Sequence, residues 1–183
     1  MFNILLHNGL RTIELNRADK EDIKNVGGQY ILKIQGKGKK GKTQVAVLTD
    51  SVLIPLLEYL DMRGEDEHPA LFISLSSNCY GKRLSTETIS KRIKTMLVNN
   101  GYKSKDLTAH SLRHTSLTFA LKGGATLQET KELARHSDIN TTLIYSHNID
   151  RVENAPEQYI EKYLKSDDID RKDRDNGKDN NNM

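Results

Sequence analysis

Residues 30–48 place the strongest local constraint on this chain of 183 residues. In Tyr30-Ile31-Leu32-Lys33-Ile34-Gln35 a period of two puts Tyr30, Leu32 and Ile34 on one face, which predicts a half-buried strand. Val45 and Val47 repeat that alternation in Thr43 to Leu48, as the apolar face of a second strand. Between the two lies Gly36-Lys37-Gly38-Lys39-Lys40-Gly41-Lys42, whose three glycines and four lysines predict a long, exposed hairpin tip. Ile23 to Val26 reads as a further short strand.

The rest of the chain has helical spacing. Residues 3–16 read as the end of one helix, a turn at Asn8-Gly9 and a second helix from about Leu10 to Asn16. The first opens with no cap, which suggests material upstream. A helix capped by Asp50 or Ser51 runs to about Met62, with Pro55 tolerated near its start. Ser85 or Thr86 caps the next, where Ile89, Ile93 and Leu97 fall at i, i+4 and i+8 before Gly101. A third spans about Ser111 to Lys122, and Thr126-Leu127-Gln128-Glu129 is a capping box opening a short helix to about Arg135. A last helix covers about Ala155–Leu164, with Tyr159, Ile160 and Tyr163 as its apolar contacts, after an intervening Asn148–Asn154. The fold class is mainly α with a small antiparallel β-sheet (α+β).

Composition narrows the class further. No run approaches the ~18 apolar residues of a membrane span, so no membrane association is expected. The single cysteine, Cys79, excludes an internal disulfide and a multi-cysteine zinc module. With no leader pattern at the start, the expected compartment is the cytoplasm. Residues 166–183 hold six acidic and four basic side chains and little that is apolar, so they read as a disordered polar tail. The remaining residues 1–165 have 24 basic and 19 acidic side chains, a net +5 against +3 for the whole chain. That balance favours an anionic partner.

Three polar clusters carry the chemistry. His110-Ser111-Leu112-Arg113-His114 places His110 and Arg113 on one helical face. His110 and His114 also have zinc-chelating spacing, but position 111 is Ser where a protease-type site has Glu. The second cluster runs from Ala134-Arg135-His136-Ser137 to Tyr145-Ser146-His147, and the third is Gly9-Leu10-Arg11 with Glu14-Leu15. Alone, each also reads as ordinary packing or a surface ion pair.

In this order the three clusters, with Gly36-Lys37-Gly38 on the hairpin, resemble the tyrosine recombinase (phage integrase) family over about residues 1–165. His110 to His114 matches its His-x-x-Arg-His box, Leu133 to Ser137 its Leu-Gly-His segment, and Tyr145 its nucleophile. The resemblance implies the catalytic-domain fold of that family without its N-terminal DNA-clamping domain. It also implies catalytic roles for Arg11, Lys37, His110, Arg113, His136 and Tyr145. Arg135 stands where the family usually has Gly, and Asn8 where Thr is common.

The residue types suit the implied reaction. Guanidinium forks bind phosphate oxygens bidentately and stay charged, which suits Arg11 and Arg113. A tyrosine must lose its proton to attack phosphorus, and a histidine can take or return that proton, which suits His110. His136 can donate to the phosphate, and Lys37 can protonate the leaving 5′ oxygen. The implied product is a 3′-phosphotyrosine with a free 5′-hydroxyl, so no ATP, metal or other cofactor is expected. Lys39, Lys40, Lys42, Lys82, Arg83, Lys91, Arg92, Lys94 and Arg135 are candidate contacts to DNA. His114 reads as a structural or supporting residue. The expected partner is double-stranded DNA, with a homotetramer on DNA in the full-length protein and a monomer for the domain alone. The competing readings are a DNA-binding fragment without turnover, a type IB topoisomerase-like enzyme, and a zinc nuclease using His110, His114 and His136.

Overall fold

The computed structural model describes residues 1–36 and 38–165. Helix α1 (Phe2–His7) ends at Asn8, and the chain turns at Gly9 before α2 (Thr12–Asn16). Glycine is required at this turn for two reasons. Its φ is +54°, and a Cβ there would lie 3.1 Å from Ser116 Oγ. Asn8 anchors the turn by donating from Nδ2 to the Val47 carbonyl at 2.6 Å.

Strands β1 (Ile23–Val26), β2 (Gln29–Ile34) and β3 (Gln44–Val47) form an antiparallel sheet in that order. Leu32 pairs with Ile23 on one side and Ala46 on the other. The expected face of β2 is correct, since Leu32 and Ile34 are buried. The expected face of β3 is inverted: Ala46 and Leu48 are buried, whereas Val45 and Val47 are 54% and 39% exposed. Side chains directly opposite in a ladder share a face. Pairing of Leu32 with Ala46 therefore sends the two valines outward despite their greater apolar area.

Helix α3 (Asp50–Arg63) follows Thr49, one residue before the expected caps, and holds Pro55 in its interior. Proline has no N–H for the Ser51 carbonyl. Asn3 Nδ2 donates to that carbonyl at 3.0 Å instead. Ser85 caps α4 (Thr86–Asn99) by accepting from the Thr88 N–H, and Ile89, Ile93 and Leu97 are its buried stripe. Thr108 caps α5 (Ala109–Lys122), so this helix starts two residues earlier than the sequence suggests. The Thr126–Glu129 capping box opens α6 (Leu127–Ala134).

The largest difference lies in α7 (Asn140–Glu153), which takes in most of the segment expected to be a linker. Its first turn holds Thr142, fully buried. Helix α1 packs on α5 and α3, α2 on α4, and α5 on α4 and α6. The core gathers Ile4, Leu5, Leu10 and Leu15 with Leu32, Ile34, Leu71 and Ile89.

Contacts divide the chain into a first compact unit, Met1–Tyr145, and a second that begins at Ser146. In the second, residues 156–165 are helical and Arg151 pairs with Glu157. Tyr159, Ile160 and Tyr163, expected as apolar contacts, are exposed. The expected polar tail, residues 166–183, lies outside the described residues.

The inverted face of β3 gives a direct test. Leu48→Ala should lower unfolding stability by about 2–5 kcal/mol, whereas Val45→Thr should change it by less than about 0.5 kcal/mol. Urea denaturation of the two variants checks the assignment.

Candidate functional site

A cleft of about 970 Å³ is lined by Arg11, His110, Arg113, His114, Arg135, His136 and Tyr145, together with hairpin and α6 residues. Its floor is built from the Gly9 turn. The Gly9 carbonyl accepts from Arg113 Nη1 and, at 3.0 Å, from Arg135 Nη2. Arg113, on the buried face of α5, also donates from Nη2 to the Ala134 carbonyl at the end of α6.

Glu14, 1% exposed, sits beneath these arginines. It accepts from the Arg11 backbone N–H and from Arg11 Nη1, both at 2.8 Å, and from Arg135 Nη2 at 3.1 Å. Burial alone would raise its carboxyl. Arg135 and the bonds from Arg11 outweigh that and hold it below the usual carboxylate range.

Two of the three guanidiniums bond this one carboxylate, and the surplus positive charge is visible in the neighbouring groups. Burial, Arg11 and Arg135 bring Arg113 down to about 10. Burial, with Arg113, Arg11, Arg135 and His114, brings His136 down to about 4. His136 is therefore neutral at pH 7, and its Nδ1 bonds the buried Thr142 hydroxyl at 2.9 Å.

Tyr145 enters the cleft from α7. Its hydroxyl lies 2.6 Å from His114 Nδ1. The His110 ring meets His114 edge-on with centroids 4.6 Å apart. Burial raises the Tyr145 phenol above its ordinary value, although Arg113 and Arg11 oppose the shift. Burial, His110 and Arg113 lower His114.

Five of the six residues expected to be catalytic, Arg11, His110, Arg113, His136 and Tyr145, therefore meet in one cleft. The sixth, Lys37, lies outside the described residues. Lys39 lines the cleft and Lys40 is exposed beside it on the hairpin.

The expected DNA contacts divide. Lys42, Arg83, Lys94 and Arg135 each bond groups of the fold itself. Lys42 is held by Asp19 at 2.6 Å and by Asp22. Arg83 donates to the carbonyls of Asn16 and Ala18 and to Asp19. Lys94 binds the Ser104 and Leu107 carbonyls. The Arg135 side chain, 4% exposed, turns inward to Asn8, Gly9, Leu133 and Glu14. It does so from a left-handed backbone (φ 56°), the conformation that favours glycine at this position. Lys91 and Arg92 line a separate depression on α4 with Glu87 and Thr95. Among the described residues, no group of three or more His, Cys, Asp and Glu side chains is placed to hold a metal ion, so His110, His114 and His136 do not form the zinc cluster considered from sequence.

Sequence reasoning missed Glu14 as the buried hub, Thr142 as the partner of His136, and His114 as the partner of Tyr145. Only Glu14 left a signal, as an acidic residue at the third position of a helix, where it reaches back to the backbone N–H before the first turn.

Residues 1–151 match the phage integrase family, and the chain belongs to it. Tyrosine recombinase XerD of Staphylococcus saprophyticus is 34% identical over 148 residues, which is 80% of this chain and 48% of that protein. The chain thus spans about half the length of the curated relatives it matches. Among solved structures, XerA recombinase superposes with a TM-score of 0.69 at 23% identity, over 84% of this chain and 56% of that one. XerH site-specific recombinase, solved with its difH substrate before cleavage, gives 0.68 at 25% identity over 85% and 43%. The α+β fold is that of these recombinases.

Two measurements probe the charge balance. Glu14→Gln leaves Arg135 buried without a counter-charge and should cost about 3–5 kcal/mol, read by chemical denaturation against the exposed control Glu157→Gln. His136 has its folded pKa at about 4, below the ~6.5 of an unfolded histidine. The unfolded state then binds more protons between those values, so stability must fall as pH drops from about 6.5 to 4. His136→Asn should make that fall shallower in denaturation midpoints measured from pH 7 to 4.5.

Proposed function

We propose that residues 1–165 are the catalytic domain of a site-specific DNA recombinase or integrase. In this reading the domain cuts and rejoins double-stranded DNA through a 3′-phosphotyrosine at Tyr145. The observation that carries it is the convergence of Arg11, Arg113, His136 and Tyr145 on one cleft whose cations outnumber its carboxylates. Such a floor suits a phosphodiester, whose single negative charge would relieve the repulsion among the three arginines.

The geometry supplies the steps. Arg11 and Arg113 grip the non-bridging oxygens and oppose the charge that builds on them as phosphorus becomes five-coordinate. Arg113, bonded at Gly9 and Ala134, is oriented before substrate arrives, so little reorganisation accompanies attack. His136, its Nδ1 accepting from the Thr142 hydroxyl, donates its one ring N–H, at Nε2, to a phosphate oxygen. The Tyr145 oxygen attacks phosphorus and an imidazole of the His110–His114 pair receives its proton. The 5′ oxygen leaves with a proton from the hairpin, where Lys37 is the assigned donor and Lys39 its neighbour at the cleft. The bond energy is kept in the phosphotyrosine ester, and the reversed step joins a new strand.

The XerH complex with difH DNA supports DNA as the partner. Exposed Tyr159 and Ile160 on the last helical segment support assembly of the full-length protein into a tetramer on DNA. The cytoplasm is the compartment in which this reading places the chain. No helix among the described residues is long and apolar enough to cross a membrane.

A nicked suicide duplex, which traps the covalent step, tests the reading. The wild-type chain should form a protein–DNA adduct that survives denaturation and persists in the presence of a chelator. Tyr145→Phe should abolish the adduct while DNA affinity stays within about twofold. An adduct of undiminished yield from Tyr145→Phe would refute the assignment.

A further inference from the structure

We propose that His114, rather than His110, takes the proton from the Tyr145 hydroxyl during strand cleavage and returns it on rejoining. The inference rests on Tyr145 being the nucleophile. Its basis is contact: the phenolic oxygen lies 2.6 Å from His114 Nδ1, with the two rings 5.4 Å apart and tilted by 33°. Among the described residues Tyr145 bonds His114 and not His110, whose ring lies against the His114 ring instead. A general base must lie within hydrogen-bond reach of the proton it removes, and His114 meets that condition without rearrangement.

The electrostatics set the direction of this hydrogen bond. At this exposed contact, partial desolvation raises the phenol and, with His110 and Arg113, lowers the imidazole. The phenol therefore donates and Nδ1 accepts, which places the imidazole proton on Nε2. The groups around His114 are mostly cationic or neutral: His110 and Arg113 on its own helix, Arg11 from the Gly9 turn, and His136 and Arg135 beyond α6. Lys131 and Glu132 of α6 and Lys39 of the hairpin line the same cleft. In the free chain burial, His110 and Arg113 oppose protonation of His114. A bound phosphodiester offsets the positive charge, so the imidazole becomes a better base when substrate is in place.

The step balances. A bond forms between Tyr145 Oη and phosphorus, and the Oη proton passes to His114 Nδ1. The bond from phosphorus to the 5′ oxygen breaks with its electron pair on oxygen, which takes a proton from a hairpin ammonium or from water. His110 is left free to donate to a phosphate oxygen.

Single-turnover cleavage of the suicide duplex by His114→Ala and His114→Asn is the kinetic test. Asparagine can accept the hydrogen bond but not the proton. Both variants should slow adduct formation by about 10²–10⁴-fold, with DNA affinity within about twofold. A substrate with sulfur in place of the bridging 5′ oxygen should not rescue them, because its thiolate leaves without an acid and only leaving-group defects are relieved. The wild-type rate should fall as pH drops through the His114 titration, and the variants should lose that limb. A wild-type rate and pH profile in His114→Asn, or rescue by the sulfur substrate, overturns the inference while leaving the tyrosine mechanism intact. No adduct from the wild-type chain on either substrate overturns the tyrosine mechanism itself. Nitrogen-15 NMR of the His114 ring decides the contact without turnover. The Nε2–H tautomer, with a titration that moves up in Tyr145→Phe, supports it; an Nδ1–H tautomer refutes it.

Discussion

The buried Glu14 carboxylate is the interaction on which the site depends. Among the described residues it is the one acidic group bonded to the arginine cluster, and it binds two of the three guanidiniums directly. Its cost of burial is met by position as much as by charge. The first turn of α2 brings it back onto the Arg11 N–H, so the helix that carries it also supplies one of its donors. Through Arg135 it reaches the α6 end, and through the Gly9 carbonyl that arginine is tied to Arg113. Segments more than a hundred residues apart in sequence thereby share one polar floor.

One carboxylate under three guanidiniums leaves the cleft positively charged, and that surplus organises the rest. With burial, it keeps His136 neutral at pH 7. It disfavours protonation of His114, which keeps Nδ1 open to the phenol. The same surplus lies where Arg113 and His136 are both brought below their ordinary values.

Much of this was legible in the sequence, for reasons that differ by residue. The Ile89-Ile93-Leu97 stripe and the Thr126–Glu129 box are local patterns, and local geometry realised them. The face of β3 was not legible, because the register with Leu32 decided it against the valines' own preference. The cleft residues could be found by their order along the chain, whereas their connections could not. Lys42, Arg83 and Arg135 look like free cations in sequence, since their partners Asp19 and Glu14 lie 23, 64 and 121 residues away. The His114–Tyr145 contact was hidden in the same way, and because residues 148–153 gave no clear helical stripe, the helix that carries the phenol was hidden too.

The left-handed Arg135 has a consequence for how this sequence can vary. Glycine at 135 would relax the backbone, leave Glu14 with its two bonds from Arg11 and the Gly9 carbonyl with Arg113, and take the Arg135 donors from the Asn8 carbonyl. A neutral residue at 14 would free the carboxylate's place yet leave Arg135 charged and enclosed. The dependence therefore runs one way: Arg135 relies on Glu14, whereas Glu14 keeps Arg11 as a partner when 135 is glycine. The arginine, once installed, is held there by its surroundings rather than by any contact with substrate.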